Sequence, residues 1–335
     1  MLLKLSFMDL IRAKETSRAK KAFHFAIILM TAGCVLYGSL KSMTMSLAIR
    51  KAYFPETEDM LERNSGPRLS SALDPETERL LEHEEMGSFH LVTTFVPFDH
   101  EDVKKGLVLN GLLPSDKEIS TRMSEILDCL QRNLESKLVA FVHVLVYRYE
   151  TGDRLQSLKM RSVNKLIIHY NFVSPTIMDA IVYASKYLKG KMVIILHQDN
   201  FLGEGWEKVN HKVLREKKLL YALTRHPSNC SAALRAAHCG PGSRYVGSHD
   251  AFALHIKDEE FLHDHLAELD VPPNTNGMEN VLIWVFKERL KYKVLNPCSV
   301  LKVYHNHCTP VRDNWRKRVN ERGMNGLALF TNKLE

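Results

Sequence analysis

Several kinds of pattern are scarce or missing in this 335-residue chain. Its 6 cysteines include no C-x-x-C pair, so zinc fingers and zinc ribbons find no framework here. With 16 glycines and 12 prolines it is neither collagen-like nor a proline-rich disordered chain. There is no internal repeat, no low-complexity tract, and no helix-turn-helix or RNP-like pattern. The formal net charge of +7 therefore has no nucleic-acid-binding module to carry it. What is present is a 45% hydrophobic, 25% charged composition, enough for one large domain or two small ones with a real core.

The charge is unevenly placed. Residues 1–21 carry Lys4, Arg12, Lys14, Arg18, Lys20 and Lys21 against Asp9 and Glu15. Residues 52–90 run the other way, with ten carboxylates against Arg63, Arg68 and Arg79. Between them, Ala22 to Leu40 (AFHFAIILMTAGCVLYGSL) holds no formally charged side chain. Nineteen residues at about 1.5 Å each nearly span a bilayer core of about 30 Å. The long charged lead and the absence of an A-x-A-like site favour an anchor over a cleaved signal peptide. Apolar residues on every face argue against a buried amphipathic helix. The basic cluster before the span places the N-terminus in the cytosol and the bulk of the chain on the luminal side. The expected organisation is a cytosolic tail (1–21), a single-pass type II signal-anchor (22–40), a stem (41–88), a folded domain (89–320) and a C-terminal tail (321–335).

In an oxidising compartment Cys129, Cys230, Cys239, Cys298 and Cys308 are free to form disulfides. The sequence-local pairings Cys230–Cys239 and Cys298–Cys308 are the first to test, although spacing alone leaves connectivity open. Asn229-Cys230-Ser231 fits the N-glycosylation pattern.

From Phe89 the pattern alternates. HLVTTFV (90–96), LVAFVHVLVY (138–147), KLIIHY (165–170) and KMVIIL (191–196) read as strands, with helical stretches at 120–134 and 177–188 between them. The expected class is α/β, a mostly parallel Rossmann-like sheet with helices on both faces, preceded by one transmembrane helix. In such a sheet ligands collect beyond the carboxyl ends of the strands, so chemistry is sought there.

After the 191–196 strand comes His197-Gln198-Asp199, then Gly203 and Gly205. An acid at that place can hold a divalent cation or a ligand hydroxyl, and it can equally cap the turn. YALTRHP (221–227) ends in Thr224 and Arg225, and GSHDAFAL (247–254) places Asp250 ahead of an apolar strand. NGMENVLIWVFKERL (276–290) opens a helix with Glu279 in the first turn, where the helix dipole itself favours a carboxylate. VLNPCSVLKVYHNHCTP (294–310) puts His305 and His307 on one side of an extended chain, a geometry suited to metal or phosphate and also to two solvated loop histidines.

Taken in order, R-x-x-E-x-x-x-C-L-x-x-N (Arg122, Glu125, Cys129, Leu130, Asn133), Asp199, A-L-T-R (222–225), S-x-D (Ser248, Asp250), G-x-[DE]-N (Gly277, Glu279, Asn280) and K-Y-x-V-x-N-P followed by K-x-Y-H-x-H (Lys291 to His307) form a recognisable set. It resembles a family of nucleotide-sugar glycosyltransferases of the GT-A fold, over about residues 89–320. The resemblance implies a sugar-nucleotide donor at the first strands, with Thr93, Thr94, Arg122 and Arg225 as its binding residues. It further implies Mn²⁺ or Mg²⁺ on the diphosphate, with Asp199, His197, His305 and His307 as candidate ligands. His197 departs from the acid usual at its position. Asp250 is the expected base and Glu279 the expected holder of donor or acceptor hydroxyls. The expected partners are a nucleotide-sugar donor, a glycan or other hydroxyl acceptor and, through 22–40, a Golgi membrane, with no nucleic acid. The competing expectation is an inactive glycan- or partner-binding domain on the same scaffold.

Overall fold

The computed structural model describes residues 88–97, 107–108, 113–228, 239–241, 249–257, 261, 263–273, 275–309, 311–313, 319 and 323–335. All of these belong to a unit running from Asn64 to Glu335. The expected cytosolic tail, membrane span, stem and glycosylation site fall outside them. Among the described residues no helix is long and apolar enough to cross a membrane.

Thirteen short strands and a set of helices are described. The strands are β1 (Phe89–Thr94), β2 (Leu107–Val108), β3 (Val139–Val146), β4 (Leu166–Tyr170), β5 (Met192–Leu196), β6 (Asn200–Leu202), β7 (Leu219–Thr224), β8 (His226–Pro227), β9 (His249–His255), β10 (Lys293–Asn296), β11 (Val303–His305), β12 (Arg312–Asp313) and β13 (Leu329–Phe330). The helices used below are α1 (Asp116–Glu135), α2 (Tyr149–Ser157), α3 (Ile177–Tyr187), α4 (His211–Glu216), α5 (His263–Leu266) and α6 (Met278–Trp284).

Eight strands form one sheet in the order β13-β10-β7-β9-β5-β1-β3-β4, and a smaller sheet runs β6-β11-β8. In the large sheet only β9 is antiparallel to its neighbours β5 and β7. The chain builds outward from β1 through β3 to β4, then returns to the other side of β1 with β5. That reversal leaves a crevice outside the carboxyl ends of β1 and β5, where ligands sit in open α/β sheets.

Alternation along the strands divides the core into two layers. Leu91, Val142, Val144, Met192, Ile194 and Tyr221 pack with Ile126 and Leu130 of α1. On β3 the intervening His143 reaches Tyr183 of α3. α1 starts at Asp116, four residues ahead of the sequence reading, because Ser115 and Glu118 form a capping box that supplies the first turn with partners. Residues 321–335, read from sequence as a tail, supply β13, which pairs with β10 at the sheet edge.

The disulfide expectation is corrected. Cys239 bonds Cys298, with Cα atoms 5.8 Å apart and a sequence separation of 59. Cys298 lies just past β10, and β10 is the sheet neighbour of β7. Cys308 is also disulfide-bonded, and Cys129 is buried and free.

The α3 layer contains an unusual polar chain. His90 Nδ1 lies 2.9 Å from His143 Nε2, and His143 Nδ1 lies 2.9 Å from the Tyr183 hydroxyl. His169 stacks near Tyr183 and Tyr187, with centroids 4.9 and 5.6 Å away. Burial, then the neighbouring His90 and His169, hold His143 well below its ordinary pKa; burial and Lys186 push His169 down to about 4. A buried neutral histidine takes up its proton more readily when unfolded, so its contribution to stability is full above pH 6.5 and declines as pH falls toward 4. His169 alone accounts for a loss of about 2–3 kcal/mol between pH 7 and pH 4.5. Urea midpoints measured across that range should fall less steeply for His169→Phe than for the natural chain; identical slopes would contradict the assignment.

Candidate metal centre and acid pair

The motif on α1 is a single helix face. Arg122, Glu125, Cys129, Leu130 and Asn133 follow the spacing i, i+3, i+7, i+8, i+11, and all five are buried. Asn133 reaches the turn after β5: its amide donates to the Asn200 carbonyl at 2.9 Å and its oxygen accepts from the Leu202 N–H at 3.1 Å. Arg122 contacts Asp199 directly through Nη2, while Nη1 donates to Glu125 at 3.0 Å and to the Asn306 carbonyl at 3.0 Å. The far oxygen of Glu125 accepts from the Cys308 N–H at 3.1 Å and from the Thr309 N–H and hydroxyl at 2.7 Å each. One helix thus fixes both the Asp199 turn and the segment after β11.

Those two segments bring Asp199, His305 and His307 together, with one ligand atom of each within 4.8 Å of the others. Asp199 Oδ2 lies 3.0 Å from His305 Nε2 and 3.4 Å from His307 Nδ1. Ligands about 2.0–2.2 Å from one ion at angles between 90° and 109° stand about 3.0–3.5 Å apart, so both distances from Asp199 match those between ligands of one cation. Burial alone would raise the Asp199 carboxyl, but His305 and Arg122 outweigh it and hold the group ionised, well below its ordinary value. Burial keeps His307 below its ordinary value despite Asp199. Its Nε2 donates to the Val311 carbonyl at 2.9 Å, which in the neutral ring leaves Nδ1 with a lone pair facing an anionic oxygen. A carbonyl fixing the distal ring nitrogen is the usual support of a metal-ligating histidine.

The fourth proposed ligand, His197, is not part of this cluster. Its backbone N–H donates to the Asp250 carbonyl at 3.2 Å, its buried Nε2 has no partner, and it acts electrostatically on Asp250 and Glu279. β9 runs antiparallel, so its first residues, including Asp250, meet the carboxyl ends of β5 and β7. Asp250 is 1% exposed, accepts from Arg225 Nη1 at 2.7 Å through one oxygen and leaves the other without a partner. Burial would raise it, but Arg225, then His197 and His305, hold it low. Glu279 behaves oppositely: burial and the charge of Asp250 raise it. It stands in the first turn of α6, reached through Gly277 at φ 83°, a left-handed conformation suited to glycine.

The remaining expected residues are placed as follows. Thr93 and Thr94 end β1, 8% and 6% exposed, beside the turn where Gln198 accepts from the Val96 N–H at 2.9 Å. Arg122 is 2% exposed and committed to Asp199, Glu125 and Asn306, so it braces the site from beneath. Arg225 bridges the two groups, since Asp250, Asp199 and Glu279 all act on it. Two braces were not anticipated. Asn306 accepts from Ser228 at 3.2 Å and donates to Asp128 at 3.1 Å. Asn296 donates to the Thr224 hydroxyl at 2.8 Å and accepts from its N–H at 3.2 Å. Both stood inside the sequence motifs, as the middle residue of His-Asn-His and the Asn of N-P.

No protein-family model matches the sequence, and no curated protein matches it. Among solved structures, a putative glucose-1-phosphate thymidylyltransferase from Bacillus anthracis aligns at 11% identity and a TM-score of 0.33, over 62% of this chain and 85% of its own. A 4-diphosphocytidyl-2C-methyl-D-erythritol synthase from Anaerococcus prevotii aligns at 11% identity and a TM-score of 0.33, over 71% and 94%. Likeness at that level carries no argument about chemistry.

Replacing Arg122 by Ala strands Asp199 and Glu125 in a buried site without their cation, at a cost of about 3–5 kcal/mol. Urea unfolding of Arg122→Ala should show that loss; a change below about 1 kcal/mol would contradict the bracing role.

Proposed function

We propose that residues 89–320 form a glycosyltransferase that moves a sugar from a nucleotide-sugar donor to a hydroxyl acceptor. The observation that carries this reading is the convergence of Asp199, His305 and His307 beside Asp250, Arg225 and Glu279 at one edge of a mostly parallel sheet. Its expected setting is a Golgi membrane, held single-pass type II by residues 22–40 on a luminal acidic stem. A set of two imidazoles and one carboxylate suits Mn²⁺ better than Mg²⁺, which prefers oxygen ligands. Bound to Asp199, His305 and His307, such a cation would supply positive charge against the departing nucleoside diphosphate.

The chain's own residues divide the remaining work. Asp250, locked to Arg225 and held ionised, is a weak base whose role is electrostatic. Glu279, half-buried and raised, is the better proton acceptor, and it replaces Asp250 in that role. As the acceptor oxygen bonds the anomeric carbon, the bond from that carbon to the phosphate oxygen breaks with its electron pair leaving on the diphosphate, and Glu279 takes the acceptor's proton. In this reading Arg225 would face the diphosphate, and Thr93 and Thr94 would line the donor side of the crevice.

Release of nucleoside diphosphate from nucleotide sugars in the presence of Mn²⁺ tests both assignments. Asp199→Ala should lower turnover at least a hundredfold. The natural chain's rate should rise with pH through a midpoint above the ordinary glutamate value of 4.5, and Glu279→Gln should lose that turnover. Unchanged rates in Asp199→Ala would overturn the metal site, no turnover by the natural chain with any donor would favour the glycan-binding alternative, and an active Glu279→Gln would return the base to Asp250.

A further inference from the structure

His197 and Asp250 carry chemistry that the metal centre does not use. Leu196 of β5 stands opposite Ala251 of β9, so His197 and Asp250 are the next pair along two antiparallel strands, and the His197 N–H donates to the Asp250 carbonyl at 3.2 Å. Opposed residues of such a pair turn their side chains to the same side of the sheet. His197 Nε2 and Asp250 Oδ1 are both buried, and neither has a hydrogen-bond partner. Asp250 is 1% exposed, and its other oxygen is taken by Arg225.

Two unmet atoms of this kind point to a ligand. A buried polar atom without a partner has lost its water and gained nothing in exchange, so a group that completes it binds with selectivity. Burial opposes ionisation of Asp250, but Arg225 keeps the carboxyl ionised, so its free oxygen can only accept. An imidazole nitrogen donates or accepts according to its tautomer. A hydroxyl does both at once, so one hydroxyl or two adjacent ones satisfy His197 and Asp250 together. A carboxylate cannot, since it offers Asp250 no proton and brings a further negative charge. Arg225 gives no relief there, because Asp250, Asp199 and Glu279 already act on it.

The setting of the pair says whose hydroxyls these are. Asp250 belongs to both working groups: Asp199 and His305 act on it, and it acts with His197 on Glu279. Under the glycosyl-transfer reading, on which this step rests, the anomeric carbon lies between the diphosphate on the cation and the acceptor hydroxyl at Glu279. The ring that carries this carbon is the group that meets His197 and Asp250. We infer that His197 and Asp250 hold ring hydroxyls of the transferred sugar and select an uncharged pyranose over a uronic acid. His197 is then a specificity residue rather than a fourth metal ligand, and the loss of an acid at its position has a use.

Calorimetric titration of the full chain in detergent with Mn²⁺ tests this, with UDP, UDP-glucose, UDP-galactose, UDP-N-acetylglucosamine and UDP-glucuronate set beside GDP, GDP-mannose and GDP-mannuronate. The best neutral donor should bind about tenfold or more tighter than the uronic acid form of the same nucleotide, because a site built for hydroxyls is left unpaired without them. His197→Leu should weaken that donor about tenfold or more while changing the affinity for its nucleoside diphosphate by less than about twofold, and His197→Gln, which keeps a side-chain N–H, should recover most of the loss. A deoxy donor lacking the hydroxyl at His197 should bind the natural chain more weakly but lose nothing further in His197→Leu, since the two changes remove one contact. Equal losses for the donor and its diphosphate, or a uronic acid form bound as tightly as the best neutral sugar, would overturn the assignment and leave the transferase reading standing. Failure of every nucleotide to bind would overturn both.

Discussion

One buried guanidinium holds this domain's working edge together. Arg122 joins three segments far apart in sequence: α1 through Glu125, the turn after β5 through Asp199, and the chain after β11 through the Asn306 carbonyl. A buried ion pair is a poor source of net stability, because desolvation offsets most of the attraction. Its value is in geometry, since few other arrangements satisfy two carboxylates and a carbonyl around one cation. It works with the Asn306 N–H, which donates to the Asp199 carbonyl at 2.9 Å, and with the pairing of His305 to Asn200 to hold the two histidines against Asp199. Glu125 extends the same logic by taking three donors from Cys308 and Thr309.

Around that lock the charges separate into two groups with different tasks. Asp199 is ionised because cationic neighbours outweigh its burial, and His307 presents a lone pair because a carbonyl holds its other nitrogen. Asp250 and Glu279 share the adjoining edge, yet Arg225 lowers one while burial beside Asp250 raises the other. Two carboxylates pushed apart in this way are suited to different roles, one electrostatic and one as proton acceptor.

Much of this was readable in the chain. The apolar runs at 138–147 and 191–196 became β3 and β5, and the spacing of Arg122, Glu125, Cys129, Leu130 and Asn133 is that of one buried helix face. Alternation put His305 and His307 on one side of an extended chain, and in the structure a ring nitrogen of each approaches Asp199. What escaped depends on neighbours that sequence distance hides. The Cys239–Cys298 bond joins positions 59 apart, which spacing cannot show, and β13 forms because residues 329–330 find an open edge on β10. His197 sits with Asp250 because antiparallel β9 brings its first residues to the end of β5. The contrast between Asp250 and Glu279 arises from burial and from Arg225, and neither is visible in a motif.

The central claim is that this edge binds a sugar nucleotide together with a divalent cation. Thermal melting of the folded domain, followed against a panel of nucleotide sugars with and without Mn²⁺, tests it most directly. Ligand that binds only the folded state at a hundred times its dissociation constant adds about 2.7 kcal/mol. The account predicts a rise in melting temperature for one class of donor that requires Mn²⁺ and disappears in Asp199→Ala and His307→Ala. No shift with any donor, or a shift indifferent to the metal and to both substitutions, would contradict it.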